Sequence, residues 1–359
     1  MKRSVLPPPR RVDRHLDDEE ARTKAAVLPP GRPSSASTHR HPSEADGLEG
    51  PRPLHLGRLP GPRPARQILR HFFDPRSGWF RLLERNANIL LSRHVYPRIP
   101  GMHLPYGAIL GRSLTVSDTE IALPLLPRGF EGATILLITD IHSGPFLSRR
   151  ALQKAFDRLL ALEPDLVLLG GDLATTLVAD VAAHLEVYRT LEAPLGVFAV
   201  LGNHDHYTRE PARLRTLLEK NGIRVLHNES VVLERAGGRI VLAGIDDLYK
   251  GTPDLDAALG SANGLPVVLL SHNPDVVFDA SRRGVPLVLS GHTHGGQFRI
   301  PGLPVMVRQS RYRLDEGRYT IGGTELIVSR GLGVNGVPLR VACPPEAVRI
   351  TLRVSSSRT

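Results

Sequence analysis

The chain has 359 residues, of which 41% are hydrophobic, and it contains one cysteine, Cys343. This size allows one large domain or two ordinary ones, and a single cysteine excludes an intrachain disulfide and agrees with a reducing compartment. The net charge of +10 lies outside residues 114–359, which carry 26 basic and 26 acidic residues. A basic nucleic-acid-binding core is therefore disfavoured, and long nucleic acid is not expected as a partner.

Residues 1–65 hold 12 of the 31 prolines, with many arginines and serines and no hydrophobic periodicity. We interpret them as a disordered Pro/Arg-rich tail, for which an inert extension is as good an explanation as a tether. The start has no apolar signal region, and no apolar run approaches the roughly 20 residues of a membrane span. We therefore expect a cytoplasmic protein.

Residues 66–113 form a basic segment, and a helix is predicted over 66–95. Its apolar stripe contains Trp79 and Phe80, and arginines such as Arg81 and Arg85 fall on the opposite face. Such a helix can lie peripherally on an anionic membrane, here the inner face of the cell membrane. It can equally pack on the domain with its arginines in water, and both alternatives stay open.

From residue 114 to 359 the pattern is that of an α/β domain with uniformly apolar, buried strands. Ser148 is a candidate N-cap for one helix, and further helices are predicted over 174–192 and near 210–219. Strands are predicted at 114–116, 121–123, 134–139, 166–169, 197–201, 231–234, 240–243, 267–270, 286–289, 326–329 and 347–352.

Five of these strands run directly into polar residues. Ligands bind at the carboxyl ends of strands in open α/β sheets, so we predict one common site. The candidate ligands are Asp140, His142, Asp172, Asn203, His272, His292 and His294. In Gly291-His292-Thr293-His294-Gly295, alternate side chains would diverge on an extended strand, and we expect the flanking glycines to let both rings converge.

The donor set suggests two divalent metal ions. Carboxylate, imidazole and amide oxygen without thiolate suit Mn²⁺ first, with Fe or Zn²⁺ as alternatives. Seven ligands suit two ions better than one, and Asp172 is the natural bridging carboxylate. Paired ions clamp an in-line displacement at phosphorus and activate a hydroxide near neutral pH.

His204 and Asp205 follow the candidate ligand Asn203 directly. An unligated histidine there can contact the phosphate or donate a proton to the leaving oxygen. Asp205 either fixes the tautomer or position of His204 or caps the following segment. We predict both as catalytic residues.

The ordered set Asp140-x-His142, Gly171-Asp172, Gly202-Asn203-His204-Asp205, His272 and Gly291-His292-x-His294 resembles the calcineurin-like metallophosphoesterases. Gly295-Gly296-Gln297 and 329–333 resemble the bacterial membrane-associated phosphodiesterase branch. The resemblance implies a four-layer α/β/β/α sandwich with two central mixed sheets. It implies one metal on Asp140, His142, Asp172 and His294, the other on Asp172, Asn203, His272 and His292, and His204 as the catalytic histidine. Many relatives have a second acidic residue where this chain has Thr175.

The leading hypothesis is a dinuclear metal-dependent phosphodiesterase acting on a lipid-linked or nucleotide-sugar-lipid substrate. A phosphomonoesterase of metabolites or proteins, and a metal-binding scaffold without activity, are the alternatives; the presence of His204 argues against the scaffold. Arginines at 308, 311, 313 and 318 either contact the anionic part of the substrate or form a solvated loop face. The oligomeric state is not indicated by the sequence.

Overall fold

The computed structural model describes residues 2–12, 86–87, 90–260, 262–300, 305 and 308–355. Its strands and helices belong to one compact unit made of residues 1–14 and 88–359. The strands are β1 Lys2–Val5, β2 Arg10–Arg11, β3 Thr115–Leu123, β4 Thr134–Ile138, β5 Leu166–Gly170, β6 Val197–Val200, β7 Arg224–Val225, β8 Glu229–Arg235, β9 Gly238–Gly244, β10 Val267–Leu270, β11 Leu287–Ser290, β12 Gly317–Ile321, β13 Thr324–Val328 and β14 Glu346–Val354. The α-helices are α1 Leu104–Ser113, α2 Arg149–Leu160, α3 Val178–Ala182, α4 Leu185–Tyr188, α5 Asn203–Tyr207, α6 Pro211–Glu219, α7 Leu255–Leu259 and α8 Val277–Arg282.

The strands form two seven-stranded mixed sheets. The first sheet has the order β1-β3-β14-β4-β5-β6-β7, and the second has the order β2-β12-β13-β11-β10-β9-β8. In the first sheet β4, β5, β6 and β7 run parallel and β14 is antiparallel to β4. In the second, β9, β10, β11 and β13 run parallel. The carboxyl ends of the parallel strands within each sheet therefore lie at one edge.

Side-chain alternation along the strands builds the layers. In β4, Ile135 and Leu137 pack in the core between the sheets, whereas Leu136 and Ile138 pack outward with α2. In the second sheet Val241 and Val288 pack outward with α7 and α8. Because both faces of the sheets are covered at their centres, the central parallel strands such as β5, β6 and β10 are almost entirely apolar and buried. The predicted four-layer α/β/β/α sandwich is confirmed.

Helix α2 forms where its sequence predicts it. The Ser148 hydroxyl accepts a hydrogen bond from the Ala151 N–H at 3.2 Å and caps the helix. Leu152, Phe156 and Leu159 are buried on the face toward the first sheet. The helical spacing of these apolar side chains therefore correctly predicted the helix and the face that it buries.

The N-terminal residues differ from the disordered tail that we predicted. Residues 2–12 add an edge strand to each sheet, since β1 pairs in parallel with β3 and β2 pairs in parallel with β12. An edge strand is held by its backbone groups and needs no hydrophobic periodicity, so the pattern gave no sign of it. Residues 13–65 lie outside the described residues.

The helix predicted over 66–95 lies outside the described residues except at 86–87 and 90–95, and Leu91–Val95 form a π-helical turn. The compact core begins before residue 114, because Tyr106 and Leu110 of α1 are buried and the Tyr106 hydroxyl donates to the Leu332 carbonyl. Two glycines and a proline in α1 obscured its periodicity. None of the helices in the described ranges is long and apolar enough to cross a membrane.

Candidate metal centre

The seven candidate ligands all lie just beyond strand ends, and all are buried. Asp140 and His142 follow β4, Asp172 follows β5, and Asn203 begins α5 after β6. On the second sheet His272 follows β10, and the two histidines of 291–295 follow β11. The structure brings the seven side chains together in two clusters that share one carboxylate.

Backbone conformation aims these side chains. Asp140, His142, Asp172, His292 and His294 all have positive φ, between 48° and 74°. Non-glycine residues with positive φ are uncommon, and such strain costs about 1–3 kcal/mol each and concentrates at functional sites. Each bend turns a side chain off the strand direction and into the shared space between the two sheets' loops.

The flanking glycines of the His-x-His stretch act differently from our expectation. The backbone bends at the two histidines themselves, with φ of 74° at His292 and 51° at His294. Gly295 also has a positive φ of 59°, but Gly291 does not. A Cβ at Gly291 would instead collide with Asp140 and Thr139. Close packing against a ligand therefore explains Gly291, and backbone freedom does not.

Cluster one consists of Asp140, His142, Asp172 and His294. Nε2 of His142 lies 3.1 Å from Nε2 of His294 and 3.6 Å from Oδ2 of Asp172. Nε2 of His294 is 3.5 Å from Oδ1 of Asp140. All four ligand atoms lie within 4.8 Å of one another. Two imidazole nitrogens and two carboxylates that converge in this way form a donor set for a divalent cation.

Cluster two consists of Asp172, Asn203, His272 and His292. Nε2 of His272 lies 3.3 Å from Oδ2 of Asp172, 3.2 Å from Oδ1 of Asn203 and 3.1 Å from Nδ1 of His292. Nδ1 of His272 is 2.8 Å from the Gly170 carbonyl oxygen, which fixes the proton on Nδ1 in the neutral ring. The Nε2 lone pair is then directed into the cluster, as in histidines that bind metals.

The electrostatics of cluster one fit bound cations. Burial, reinforced by the charge of Asp172, raises the pKa of Asp140 to about 6. Burial, reinforced by His204, lowers the pKa of His142 to about 3. The site therefore keeps the His142 imidazole neutral, which is the form that ligates, and penalises the ionised form of Asp140. Positive charge from a cation relieves that penalty, and the residues present fit two divalent ions.

The His272 ring behaves differently from His142. Burial opposes its charge, but the neighbouring Asp172 carboxylate raises the pKa of His272 to about 10. A proton on His272 and a cation in cluster two would neutralise the same carboxylate. Metal binding there is consequently expected to displace that proton.

His204 lies beside the clusters without joining either. Its backbone N–H donates to Oδ1 of Asp172 at 2.8 Å, and its ring centroid is 4.7 Å from that of His142. Nδ1 lies 2.8 Å from the carbonyl oxygen of Thr175, so it carries a proton. Nε2 faces the side-chain amide of Asn335 at 2.9 Å. Both ring nitrogens are thus held, and the ring plane is fixed.

Asp205 does not orient the His204 ring in the way we predicted. Its buried carboxylate accepts hydrogen bonds from the backbone N–H groups of Leu173, Ala174 and Gly202, at 3.3, 2.9 and 2.9 Å. The Thr175 carbonyl holds the ring instead. Asp205 thereby ties the loop after Asp172 to the start of α5, which matches the capping alternative.

Thr175 stands where the family resemblance leads us to expect an acidic residue. Its hydroxyl donates to the carbonyl oxygens of His142 and Ser143, both at 3.0 Å, while its own carbonyl accepts from His204. A backbone carbonyl therefore holds Nδ1 of His204 in place.

Three contact residues were missed by sequence reasoning. Arg340 is buried, lies 3.3 Å from Nδ1 of His294 and donates to the carbonyl oxygens of Arg330, Gly331, Gly333 and His294. Gln297 and Asn335 connect the His294 loop to His204. All three lie in loops that lack hydrophobic periodicity. The Gly-rich stretches near them were the sequence feature that pointed to these loops.

The arginines of the 308–318 stretch face local partners. Arg318 pairs with Glu325 at 2.7 Å. Nε of Arg308 donates to the Val305 carbonyl and lies 4.0 Å from Asp315. Arg311 and Arg313 are exposed. These contacts favour the loop-face alternative for Arg318.

Comparison with known proteins agrees with this arrangement. Residues 133–296 match the model of the calcineurin-like phosphoesterase family. The chain is 32% identical over 247 residues to YkuE of Bacillus subtilis, an uncharacterized metallophosphoesterase, covering 67% of this chain and 86% of that protein. It is 35% identical over 255 residues to a transmembrane protein with a metallophosphoesterase domain from Danio rerio, covering 66% and 57%. Among solved structures, TT1561 of Thermus thermophilus aligns with 17% identity and a TM-score of 0.38, covering 56% and 90%.

The chain belongs to the calcineurin-like metallophosphoesterase family. It is therefore a hydrolase of phosphoester bonds, with a buried Asp/His cluster compatible with two divalent metals. The matched part spans only 57% of the Danio rerio protein and 52% of a putative metallophosphoesterase from Caenorhabditis elegans.

Proposed function

We propose that the chain is a dinuclear metal-dependent phosphodiesterase. Cluster one and cluster two would each hold one divalent ion, Mn²⁺ first, with Asp172 as the shared ligand. The observation that carries this proposal is the convergence of two donor sets on Oδ2 of Asp172, 3.6 Å from His142 and 3.3 Å from His272. Shared carboxylates are typical of paired-metal sites for in-line displacement at phosphorus.

The ions, when bound, would supply Lewis acidity toward the phosphoryl oxygens and lower the pKa of a water molecule. The protein's own residues would position the catalytic histidine and transfer the proton. Asp172 and Asn203 connect the ligand set to α5, so His204 is held at a fixed place beside it. From there His204 would contact the phosphoryl group or transfer a proton to the leaving oxygen, which contributes typically 10²- to 10⁴-fold.

A diester is favoured over a monoester by the arginines beside the site. Arg330 pairs with Glu346 at 2.9 Å, and Arg340 spends its donors on backbone carbonyls. Both guanidinium groups thus donate to protein acceptors. A monoester carries more negative charge than a diester and gains more from additional cations. The singly charged diester suits the described surroundings of the clusters better.

A lipid-linked substrate at the cytoplasmic membrane face is part of the proposal. Its support is the arginine-rich, Trp/Phe-containing sequence of 66–95, which suits an anionic membrane interface. A variant lacking 66–95 should lose binding to anionic liposomes and keep hydrolysis of a small diester. Equal liposome binding by the variant would remove the membrane part of the proposal.

The hydrolytic part is tested with a chromogenic phosphodiester beside its phosphomonoester. Chelator-stripped protein should regain diester cleavage with Mn²⁺, and His294→Ala and His204→Ala should both abolish most of it. Preference for the monoester would replace this proposal with a phosphomonoesterase of metabolites or proteins. Two bound metals without cleavage of either ester would favour the scaffold.

A further inference from the structure

The loop formed by residues 334–339 reaches the catalytic histidine. The side-chain amide nitrogen of Asn335 lies 2.9 Å from Nε2 of His204. Because the Thr175 carbonyl takes Nδ1, Nε2 is the ring nitrogen through which His204 can contact a substrate. A substrate atom that reaches Nε2 therefore approaches the Asn335 amide, which already contacts that nitrogen.

The side chain of Gln297 holds this loop against cluster one. Gln297 lies three residues after His294, and its Oε1 accepts from the Asn335 N–H at 3.0 Å. Its Nε2 donates to the carbonyl oxygens of residues 335, 337 and 339, at 3.0, 3.4 and 3.2 Å. From the other side, the Tyr96 hydroxyl donates to the Gly336 carbonyl at 3.0 Å. The loop's position is thus tied to the metal-ligand loop.

The outer side of the loop is apolar and exposed. Alternate carbonyls point toward Gln297, and Val337 and Leu339 remain 42% and 45% exposed. The whole loop has the sequence Val-Asn-Gly-Val-Pro-Leu and contains no charged residue. An exposed valine and leucine next to a candidate active site suit an apolar group better than a sugar or a charged group.

We propose that the 334–339 loop is the specificity loop of this site. Asn335 contacts the phosphoester beside Nε2 of His204, and Val337 and Leu339 hold an uncharged, apolar group esterified to the leaving oxygen. This inference rests on the proposed function and deepens it, since it specifies a phosphoester whose alcohol is apolar next to the phosphate. It requires neither a membrane surface nor the 66–95 segment.

The test compares methyl with octyl leaving groups, as alkyl phosphates and as symmetric dialkyl phosphates, in the full chain with Mn²⁺. The double variant Val337→Ser/Leu339→Ser should lower the octyl-to-methyl ratio of kcat/KM about tenfold, the scale expected from losing a few buried methylene contacts. Cleavage of the methyl substrates should fall much less than cleavage of the octyl substrates. Leu125→Ser is the matched control, because Leu125 is 80% exposed and follows the end of β3 that pairs with Val354, away from the ligand-bearing strand ends.

An unchanged octyl-to-methyl ratio, or an equal loss on both substrates, would overturn the inference. The ratio can be read on whichever ester is cleaved, so a monoesterase would refute the proposed diester preference while still testing the loop. For Asn335, we expect Asn335→Ala to lower kcat/KM in wild type and to have no further effect in His204→Ala. Additive losses in the double variant would show that Asn335 does not act at the His204 nitrogen.

Discussion

The two sheets are alike in construction and different in chemistry. Each has seven mixed strands with parallel strands at its centre. The first sheet supplies both carboxylates, the amide ligand and only one imidazole, His142, whereas the second supplies only imidazoles, from His272, His292 and His294. Each cluster draws on both sheets. The difference shows that neither sheet alone carries a complete site, so metal binding must join the two halves of the sandwich.

The largest effect is expected at the residue that both clusters share. Asp172→Asn removes a charge from both donor sets, and the loss of several kcal/mol of metal-derived stabilisation corresponds to about 10³-fold or more in kcat/KM. Activity assays with metal analysis measure it. The control is Asp246→Asn, a buried aspartate that binds His206 at 2.7 Å outside both clusters. If Asp172→Asn retained two ions and near-normal activity, the shared-ligand account would be wrong.

Replacement of His204 should separate catalysis from metal binding. We expect His204→Ala to keep both ions and to lose roughly 10²- to 10⁴-fold in kcat, because the ring contacts neither metal cluster as a ligand but supplies acid–base or phosphate contacts. Steady-state kinetics at saturating Mn²⁺ measures this loss. His206→Ala, on the same helix, should change kcat much less. Loss of metal in His204→Ala would instead assign the ring to the ligand set.

Removal of the metals should lower the free energy of unfolding, because bound ions would connect the two sheets. At free metal 100 to 1,000 times above Kd, ligand binding stabilises the folded state by about 2.7–4.1 kcal/mol, which corresponds to a Tm difference of roughly 5–15 °C for a domain of this size. Thermal unfolding with Mn²⁺ and with chelator measures the difference. It should nearly vanish in Asp172→Asn. An equal metal effect in that variant would place the stabilising ion elsewhere.

The smallest effect is expected at Asp205, whose carboxylate accepts its three hydrogen bonds from backbone N–H groups. Asp205→Asn loses part of the three-donor contact that positions Asp172 and Asn203, and losses of this kind typically cost 10- to 100-fold in metal affinity or activity. Titration of activity with Mn²⁺ measures it. Asp254→Asn is the matched cap, since Asp254 accepts from Ala257 at 2.9 Å and caps α7 away from the site. Equal effects of both substitutions would show that Asp205 acts only as a helix cap.

Much of the first and second sheets was predictable from sequence. Strands such as β4, β5 and β10 are short, mainly apolar runs that are followed within two residues by a polar residue, and both sheets contain such strands. The candidate ligands could be singled out because the carboxyl ends of neighbouring parallel strands lie close together whatever the details of the loops. The four-layer fold itself came from the family resemblance, and local patterns fixed only its strands.

What the sequence did not indicate depends on backbone contacts between distant segments. β1 and β2 pair through their backbones, and His204 is held by the backbone carbonyl of Thr175. The clamp of Gln297 on Asn335 joins residues 38 positions apart through loop carbonyls. The positive φ angles at five candidate ligands could not be predicted either. Aspartate and histidine usually have negative φ, so their presence in the sequence does not indicate a left-handed backbone.

The most direct test of a site shared between two sheets is the number of metal ions per chain. Chelator-stripped protein would be reloaded with Mn²⁺ and analysed by elemental mass spectrometry after removal of free metal. Two ions are predicted for wild type and one for either His294→Ala or His292→Ala, with each variant still folded. One ion in wild type, or two ions retained in both histidine variants, would contradict a dinuclear centre built jointly by the two sheets.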